Sequence, residues 1–197
     1  WVPDAATLSE RLSAWLEADE PKTIAGLCER FGPQSFAIVF VVLLALSALP
    51  IPTGGVTHVL DIVAMLLSLE LIAGRSEVWV PRRWCSTELR VLTNARGSNA
   101  LLKRIRWFER FSRPRLTALL TSPVAPRVYG LLVLMLTAVA FLAPPFTGLD
   151  TLPALGVVVL SLGVLLTDAL LAGIGVAIGA AGIALVVGLG HAITRLL

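Results

Sequence analysis

The residues of this sequence that could do chemistry are ionisable side chains set within or beside apolar runs. Asp61, Asp150, Asp168 and His58 all occupy such positions. A charge is costly in lipid, so an ionisable group in a membrane segment is by default a candidate for binding or moving an ion. We therefore predict a role in proton or ion coupling for His58, Asp61 and Asp168.

Each of these three residues also has a simpler role open to it. Asp168 falls at a helix boundary, where capping is the first expectation. A salt bridge to Arg75 from Asp61 or Glu70 is as consistent with the sequence as proton coupling. His58 fits a hydrogen-bonded packing histidine as well as a proton relay.

Two apolar runs are broken by prolines and glycines, at residues 50–55 and at residues 144–148. Proline removes a backbone donor and glycine lets the chain reverse, so a helix must stop there. The freed polar groups cannot face lipid, and the helix N-termini after each break offer partial positive charge to a polar or anionic solute. The structural breaks are Pro50, Pro52, Pro144 and Pro145. The predicted substrate-lining residues are Thr53, Gly54, Gly55, Thr57, Thr147, Gly148, Asp150 and Thr151, and Asp150 is also expected to cap the helix that follows.

Composition indicates an all-α membrane protein, a polytopic helical bundle forming a single domain over residues 1–197. Hydrophobic residues make up 56% of the chain, charged residues 15%, and the mean hydropathy is +0.86. Soluble domains contain roughly 45–50% apolar and about 25% charged residues. The apolar runs predict helices over residues 36–49, 59–72, 128–143 and 152–166, with a complete transmembrane helix at 169–188.

A shift of 93 residues aligns the two halves of the chain, placing Pro52 on Pro145 and Gly55 on Gly148. We expect repeat 1 over about residues 7–74 and repeat 2 over about 100–167. Each repeat would contain an amphipathic helix, a transmembrane helix and a broken, re-entrant segment. Paired broken helices of this kind are typical of many secondary transporters.

A stripe of small residues, Gly175, Gly179 and Gly182, lies in the last apolar helix. Small residues allow helices to approach closely. The stripe fits packing within one chain and a homodimer interface equally well. We predict a homodimer.

The segment 82–115 contains ten basic and two acidic residues, and we expect it to be cytoplasmic. It carries no recognised base-reading motif, so phospholipid is a better expected partner than nucleic acid. No nucleotide loop, catalytic triad or His/Cys metal cluster occurs in the sequence. We therefore predict no enzyme activity, no cofactor and no metal.

The two breaks and their surroundings resemble the ExoD family, bacterial inner-membrane proteins linked to exopolysaccharide synthesis. The first matching motif is Leu49-Pro50-Ile51-Pro52-Thr53-Gly54-Gly55-Val56-Thr57, followed by Gly74-Arg75 and Trp79-Val80-Pro81. The second is Asp150-Thr151-Leu152-Pro153-Ala154-Leu155, followed by Leu160-Ser161-Leu162-Gly163 and Asp168. His58 and Asp61 depart from the family pattern, which has smaller or apolar residues there. The resemblance implies a multi-pass protein of the bacterial inner membrane, associated with exopolysaccharide synthesis, and no established reaction.

Two functions follow as expectations. The first is a transporter-like protein that handles a small polar or anionic solute at the paired breaks. The alternative is a membrane scaffold that organises the machinery of exopolysaccharide synthesis or export through its basic surface.

Overall fold

The computed structural model describes residues 10, 13–14, 17–18, 31, 34–45, 47–48, 56–75, 122–143 and 148–196. Within these residues the chain forms five helices and no strand, as the all-α prediction requires. They are α1 (Gln34–Leu44), α2 (Val56–Ile72), α3 (Ala125–Leu142), α4 (Thr151–Leu165) and α5 (Ala169–Leu196). The predicted basic segment 82–115 and most of both predicted amphipathic helices lie outside the described residues.

Two of the helices are long and apolar enough to cross a membrane, judged by length and composition. These are α3 over its whole length and α5 over Ala169–Leu189, whereas α1 and α4 are apolar but shorter. Large apolar side chains are exposed on the outer surface, among them Val42 at 70% and Leu142 at 75%. A soluble protein rarely exposes so much apolar surface, and a bilayer would cover it.

Helices α1 to α4 pack in a ring, in which α1 contacts α2 and α4, and α3 contacts the same two helices. Phe36, Phe40 and Tyr129 meet inside the ring, and the Phe40 and Tyr129 rings pack edge to face at 5.8 Å between centroids. The Tyr129 hydroxyl donates a 2.7 Å hydrogen bond to the Ser161 hydroxyl, which links α3 to α4. A buried aromatic cluster therefore lies in the interior of the ring.

Helix α3 begins and ends where prolines require it. Pro126 stands in its first turn, where the missing N–H is no loss. At its other end Ala143 is extended, with φ −65° and ψ 137°. The ring of a following proline, here Pro144, excludes helical geometry from the residue before it, so the helix stops there.

Helices α4 and α5 form an antiparallel hairpin that is held together by glycines. A Cβ at Gly156 would lie 2.6 Å from the Gly179 Cα, and one at Gly175 would lie 2.6 Å from the Leu160 Cα. Gly182 is equally close to Pro153. The predicted glycine stripe therefore packs against α4 within the chain. A homodimer stays a prediction, and its interface would have to use another surface.

The hairpin turns at Leu166–Asp168. Thr167 adopts a left-handed conformation with φ 52°. The Asp168 carboxylate then accepts hydrogen bonds from the backbone N–H groups of Leu170, at 3.0 Å, and Leu171, at 3.3 Å. Asp168 thus caps α5, because these N–H groups have no partner within the helix.

Candidate functional site

The start of α2, the end of α3 and the start of α4 lie together at one end of the ring. His58, the third residue of α2, packs its ring against Phe141 in the last turn of α3, with 5.4 Å between ring centroids. At the other end of this helix pair, a Cβ on Gly130 would lie 3.0 Å from the Ser68 carbonyl oxygen. Helices α2 and α3 therefore run antiparallel. We call the end that contains His58 and Phe141 the break end, since both breaks connect to it.

Asp61 lies one turn further along α2 and is completely buried, with 0% of its surface exposed. Neither carboxylate oxygen has a hydrogen-bond partner among the described residues. Its charge interacts with that of Asp150, at the start of α4.

Asp150 occupies the N-cap position of α4, as predicted, but its side chain makes no capping hydrogen bond. The first turn is instead joined by backbone bonds, from the Thr151 N–H to the Gly148 carbonyl at 3.3 Å and from the Ala154 N–H to the Asp150 carbonyl at 3.1 Å. Gly148 has φ 70°, a conformation that glycine adopts readily. The Asp150 carboxylate is therefore not committed to capping α4.

Two further polar groups, which flank the first break in the sequence, are buried without a hydrogen-bond partner among the described residues. They are the His58 Nδ1 atom and the Ser47 hydroxyl, which follows α1. The sequence singled out His58 but not Ser47, whose signal was a polar residue in an apolar run just before Pro50. The sequence also did not single out Phe141. A phenylalanine in an apolar run carries no signal that its side chain will contact a histidine on another helix.

Part of the predicted lining lies outside the described residues. This part comprises Thr53, Gly54, Gly55 and Thr147, together with the breaking prolines Pro50, Pro52, Pro144 and Pro145. Of the others, Thr57 is buried at the start of α2, while Gly148, Asp150 and Thr151 begin α4. The lining of a shared site by all eight residues stays a prediction.

The other candidate coupling residue, Asp168, lies at the opposite end of α4 from Asp150. Helix α4 has 15 residues and is therefore about 22 Å long. This distance separates Asp168 from the carboxylates at the break end, and its hydrogen bonds serve the start of α5.

Two basic side chains, those of Arg75 and Arg127, lie at the end of α2 and the start of α3. Arg75 pairs with Glu70 at 3.9 Å, and the Arg127 guanidinium lies against Gly74. Of the two acids considered for Arg75, it is thus Glu70 that pairs with it. The basic end and the break end are opposite ends of the same helices. No group of three or more possible metal ligands occurs among the described residues.

Together, the fold and this end of the ring define a class: an all-helical protein with two helices able to cross a membrane and with a buried carboxylate inside the helical bundle. The chain matches the family described as "Exopolysaccharide synthesis, ExoD" over residues 8–188. It belongs to the ExoD family, which confirms the resemblance seen in the sequence. Membership links the chain to exopolysaccharide synthesis and, with its two apolar helices, indicates a membrane protein.

Two relatives illustrate the match. Protein ExoD of Rhizobium meliloti (strain 1021) is 27% identical over 174 residues, which cover 84% of this chain and 70% of that protein. The uncharacterized protein slr1875 of Synechocystis is 31% identical over 141 residues, which cover 71% of this chain and 65% of that protein. The matches thus span about two thirds of each relative. No solved structure matches the chain.

Proposed function

We propose that this protein is a transporter-like, non-enzymatic member of the ExoD family that handles a small polar solute at its paired breaks. The observation that carries the proposal is the contact between helix ends that flank the two breaks: His58 at the start of α2 packs on Phe141 at the end of α3. One turn away, Asp61 is buried without a hydrogen-bond partner among the described residues. Buried polar groups without partners are costly in an apolar interior. Such groups are retained where a solute or an ion satisfies them.

The internal repeat is part of this proposal. Ninety-three residues after Ile72, the end of α2, stands Leu165, the end of α4. Residues buried in the first half have buried counterparts at the same spacing in the second, as in the pairs Phe40 and Val133, Ala64 and Val157, and Ser68 and Ser161. Because both breaks connect to one end of the ring, we propose that the repeats are parallel rather than inverted.

We further propose a location and an orientation, with the chain in a bacterial inner membrane and its basic end in the cytoplasm. The chain leaves this end after Arg75 and returns to it at Ser122, so the basic segment 82–115 connects there. Basic residues are retained on the cytoplasmic side of inner-membrane proteins. The break end then faces the opposite side of the membrane.

Flux measurements test the transport proposal. The purified protein in liposomes would be assayed with radiolabelled methylammonium, phosphate and glycerol as cationic, anionic and neutral probes. We expect protein-dependent flux of one class, and a loss of at least tenfold in a variant combining Thr57→Val with Asp150→Asn. The Glu70→Gln variant, altered at the basic end of α2, is the matched control. Absence of flux for all three probes counts against transport.

The scaffold function is favoured by a different observation, the gathering of Arg75 and Arg127 at the end to which the basic segment connects. Charge reversal at Arg104, Arg106 and Arg110, which lie outside the described residues, discriminates between the two functions. In a strain that depends on this gene for exopolysaccharide, a scaffold would lose function on charge reversal and tolerate the Thr57→Val, Asp150→Asn variant. A transporter would show the reverse.

A further inference from the structure

We infer that the break end of the ring binds a single monovalent cation, a proton or a small inorganic or ammonium ion, at the Asp61 carboxylate. This inference rests on the proposed function and deepens it, because it decides the sign of the charge handled between the breaks. The sequence alone left a polar or an anionic solute as the expectation.

The first support is the burial of Asp61. Its side chain is fully enclosed, yet neither oxygen accepts a hydrogen bond from any described residue. An isolated buried carboxylate is among the least favourable groups in a protein interior, and it becomes tolerable when it binds a proton or a counter-ion. The side chain therefore has both the charge and the free acceptor atoms that a cation requires.

The second support is the balance of charge at the break end. Asp150 stands at the N-terminus of α4, where the helix dipole partly offsets its negative charge. Asp61 is the sixth residue of α2, beyond the first turn over which that effect acts. The break sequences 45–56 and 143–149 contain no charged residue. Among the described side chains of α1 to α4, no lysine or arginine therefore stands against the Asp61 carboxylate at this end, and its single negative charge matches one monovalent cation.

The third support comes from the described helices packed against α2, α1 and α3, whose residues supply no basic side chain at this end. Helix α1 has no ionisable side chain. The ionisable groups of α3 are Arg127 and Tyr129, both near the basic end, and Tyr129 donates its hydroxyl to Ser161. On α2 itself, His58 lies one turn from Asp61 with its buried Nδ1 available as a further ligand or proton acceptor. Two carboxylates and one histidine outside any three-ligand cluster suit a monovalent ion better than a divalent one.

Thermal unfolding of the purified full chain in detergent tests the inference without requiring transport. Unfolding would be followed from pH 5.5 to 8.5, and at high pH with sodium, potassium or methylammonium chloride against choline chloride at equal ionic strength. We expect acid or a small cation to raise the Tm of the wild-type protein by about 2–4 °C, because either one neutralises Asp61. A response to pH alone identifies the proton, and a response to salt at fixed pH identifies the metal or ammonium ion.

Three variants locate the effect. Asp61→Asn is expected to abolish the dependence on pH and cations, and Glu70→Gln, on the same helix at the basic end, to retain it. Asp150→Asn is expected to move the transition to lower pH, since with one negative charge fewer nearby the Asp61 carboxylate holds its proton or cation less tightly. Should Asp61→Asn not yield folded protein, judged by size exclusion and circular dichroism, the Asp150→Asn transition carries the test.

The inference is overturned if neither pH nor cations change the wild-type Tm, or if the Tm of Asp61→Asn responds as the wild type does. It is also overturned if added phosphate raises the Tm and cations do not. A response that depends on Asp61, in a protein that moves none of the three probes, would keep the cation site and remove the transport proposal. The two failures are therefore distinguishable.

Discussion

At the scale of single residues, four ionisable side chains beside apolar runs have acquired distinct positions. Asp168 caps α5, and Glu70 pairs with Arg75. Asp61 is buried one turn into α2, and Asp150 stands at the N-cap of α4. The four residues are all acidic and have similar apolar flanking sequences. Their roles differ because each occupies a different position on its helix. The sequence predicted the capping position of Asp168 because a turn necessarily separates two apolar helices there.

The cap at Asp168 gives a prediction at this scale. Replacing Asp168 with alanine removes the acceptor for the Leu170 and Leu171 N–H groups and should lower the free energy of unfolding by about 1 kcal/mol. Asp168→Asn keeps a capping oxygen and should lose less. Unfolding in mixed micelles would measure both. Equal losses for the two variants would mean that the charge of Asp168, rather than its hydrogen bonds, is what stabilises the start of α5.

At the scale of helices, local chemistry fixed most boundaries but not the contacts between helices. Helix α4 was predicted over 152–166 and spans Thr151–Leu165, since a break and a turn bound it. Helix α5 continues to Leu196, past the predicted 188, because glycines in an apolar helix do not by themselves end it. Helix α1 ends at Leu44, although α-type bonding continues to the Ala48 N–H, which bonds the Leu44 carbonyl at 2.8 Å.

The sequence could not assign partners to the surfaces of these helices. Glycines four residues apart suit any close partner, so the stripe on α5 fitted α4 and a second chain equally well. Contacts such as that of His58 with Phe141 depend on how two helices are rotated against each other. That rotation is set by the packing of all four helices rather than by the residues that flank His58 or Phe141 in the sequence. The lining of the candidate site was therefore predictable by residue type, and the pairing across it was not.

Two glycines on α4 and α5 offer a matched test of the hairpin. Gly156→Leu forces a side chain against the Gly179 backbone and should cost about 1–3 kcal/mol or prevent folding. Gly173→Leu, on α5, is the control, because a Cβ there meets nothing within 4 Å. Both changes add the same apolar group to a glycine in a helix. Comparable destabilisation by the two would argue against the observed pairing of α4 with α5.

At the scale of the whole molecule, the ring has two chemically different ends. One end carries Arg75 and Arg127 and connects to the basic segment 82–115. The other end holds the helix ends that flank the breaks, with Asp150 among them, and the cluster of Phe36, Phe40 and Tyr129 packs inside the ring. The proposed orientation and the proposed cation site are related through this difference between the ends. In the proposal, a solute reaches Asp61 from the break end, and the orientation decides which side of the membrane that is.

Cysteine labelling tests that orientation. With Cys28 and Cys85 replaced by serine, single cysteines would be placed at Val124, exposed at the basic end, and at His191, exposed in the C-terminal part of α5. A membrane-impermeant maleimide added outside spheroplasts should label His191→Cys and spare Val124→Cys until the cells are lysed. The opposite pattern would place the basic end outside the cytoplasm.

The glycine contacts between α4 and α5 also have a consequence for the order in which the protein is made. Helix α4 is synthesised before α5, yet the atoms nearest to a Cβ at Gly156 or Gly163 belong to α5. At 15 residues it is shorter than the roughly 20 that an independent span requires. Helix α4 should therefore reach its final depth only once α5 has left the ribosome. Completion of the break end then becomes the last step of biosynthesis, so a chain truncated before α5 would lack the candidate site even though it contains every residue assigned to it.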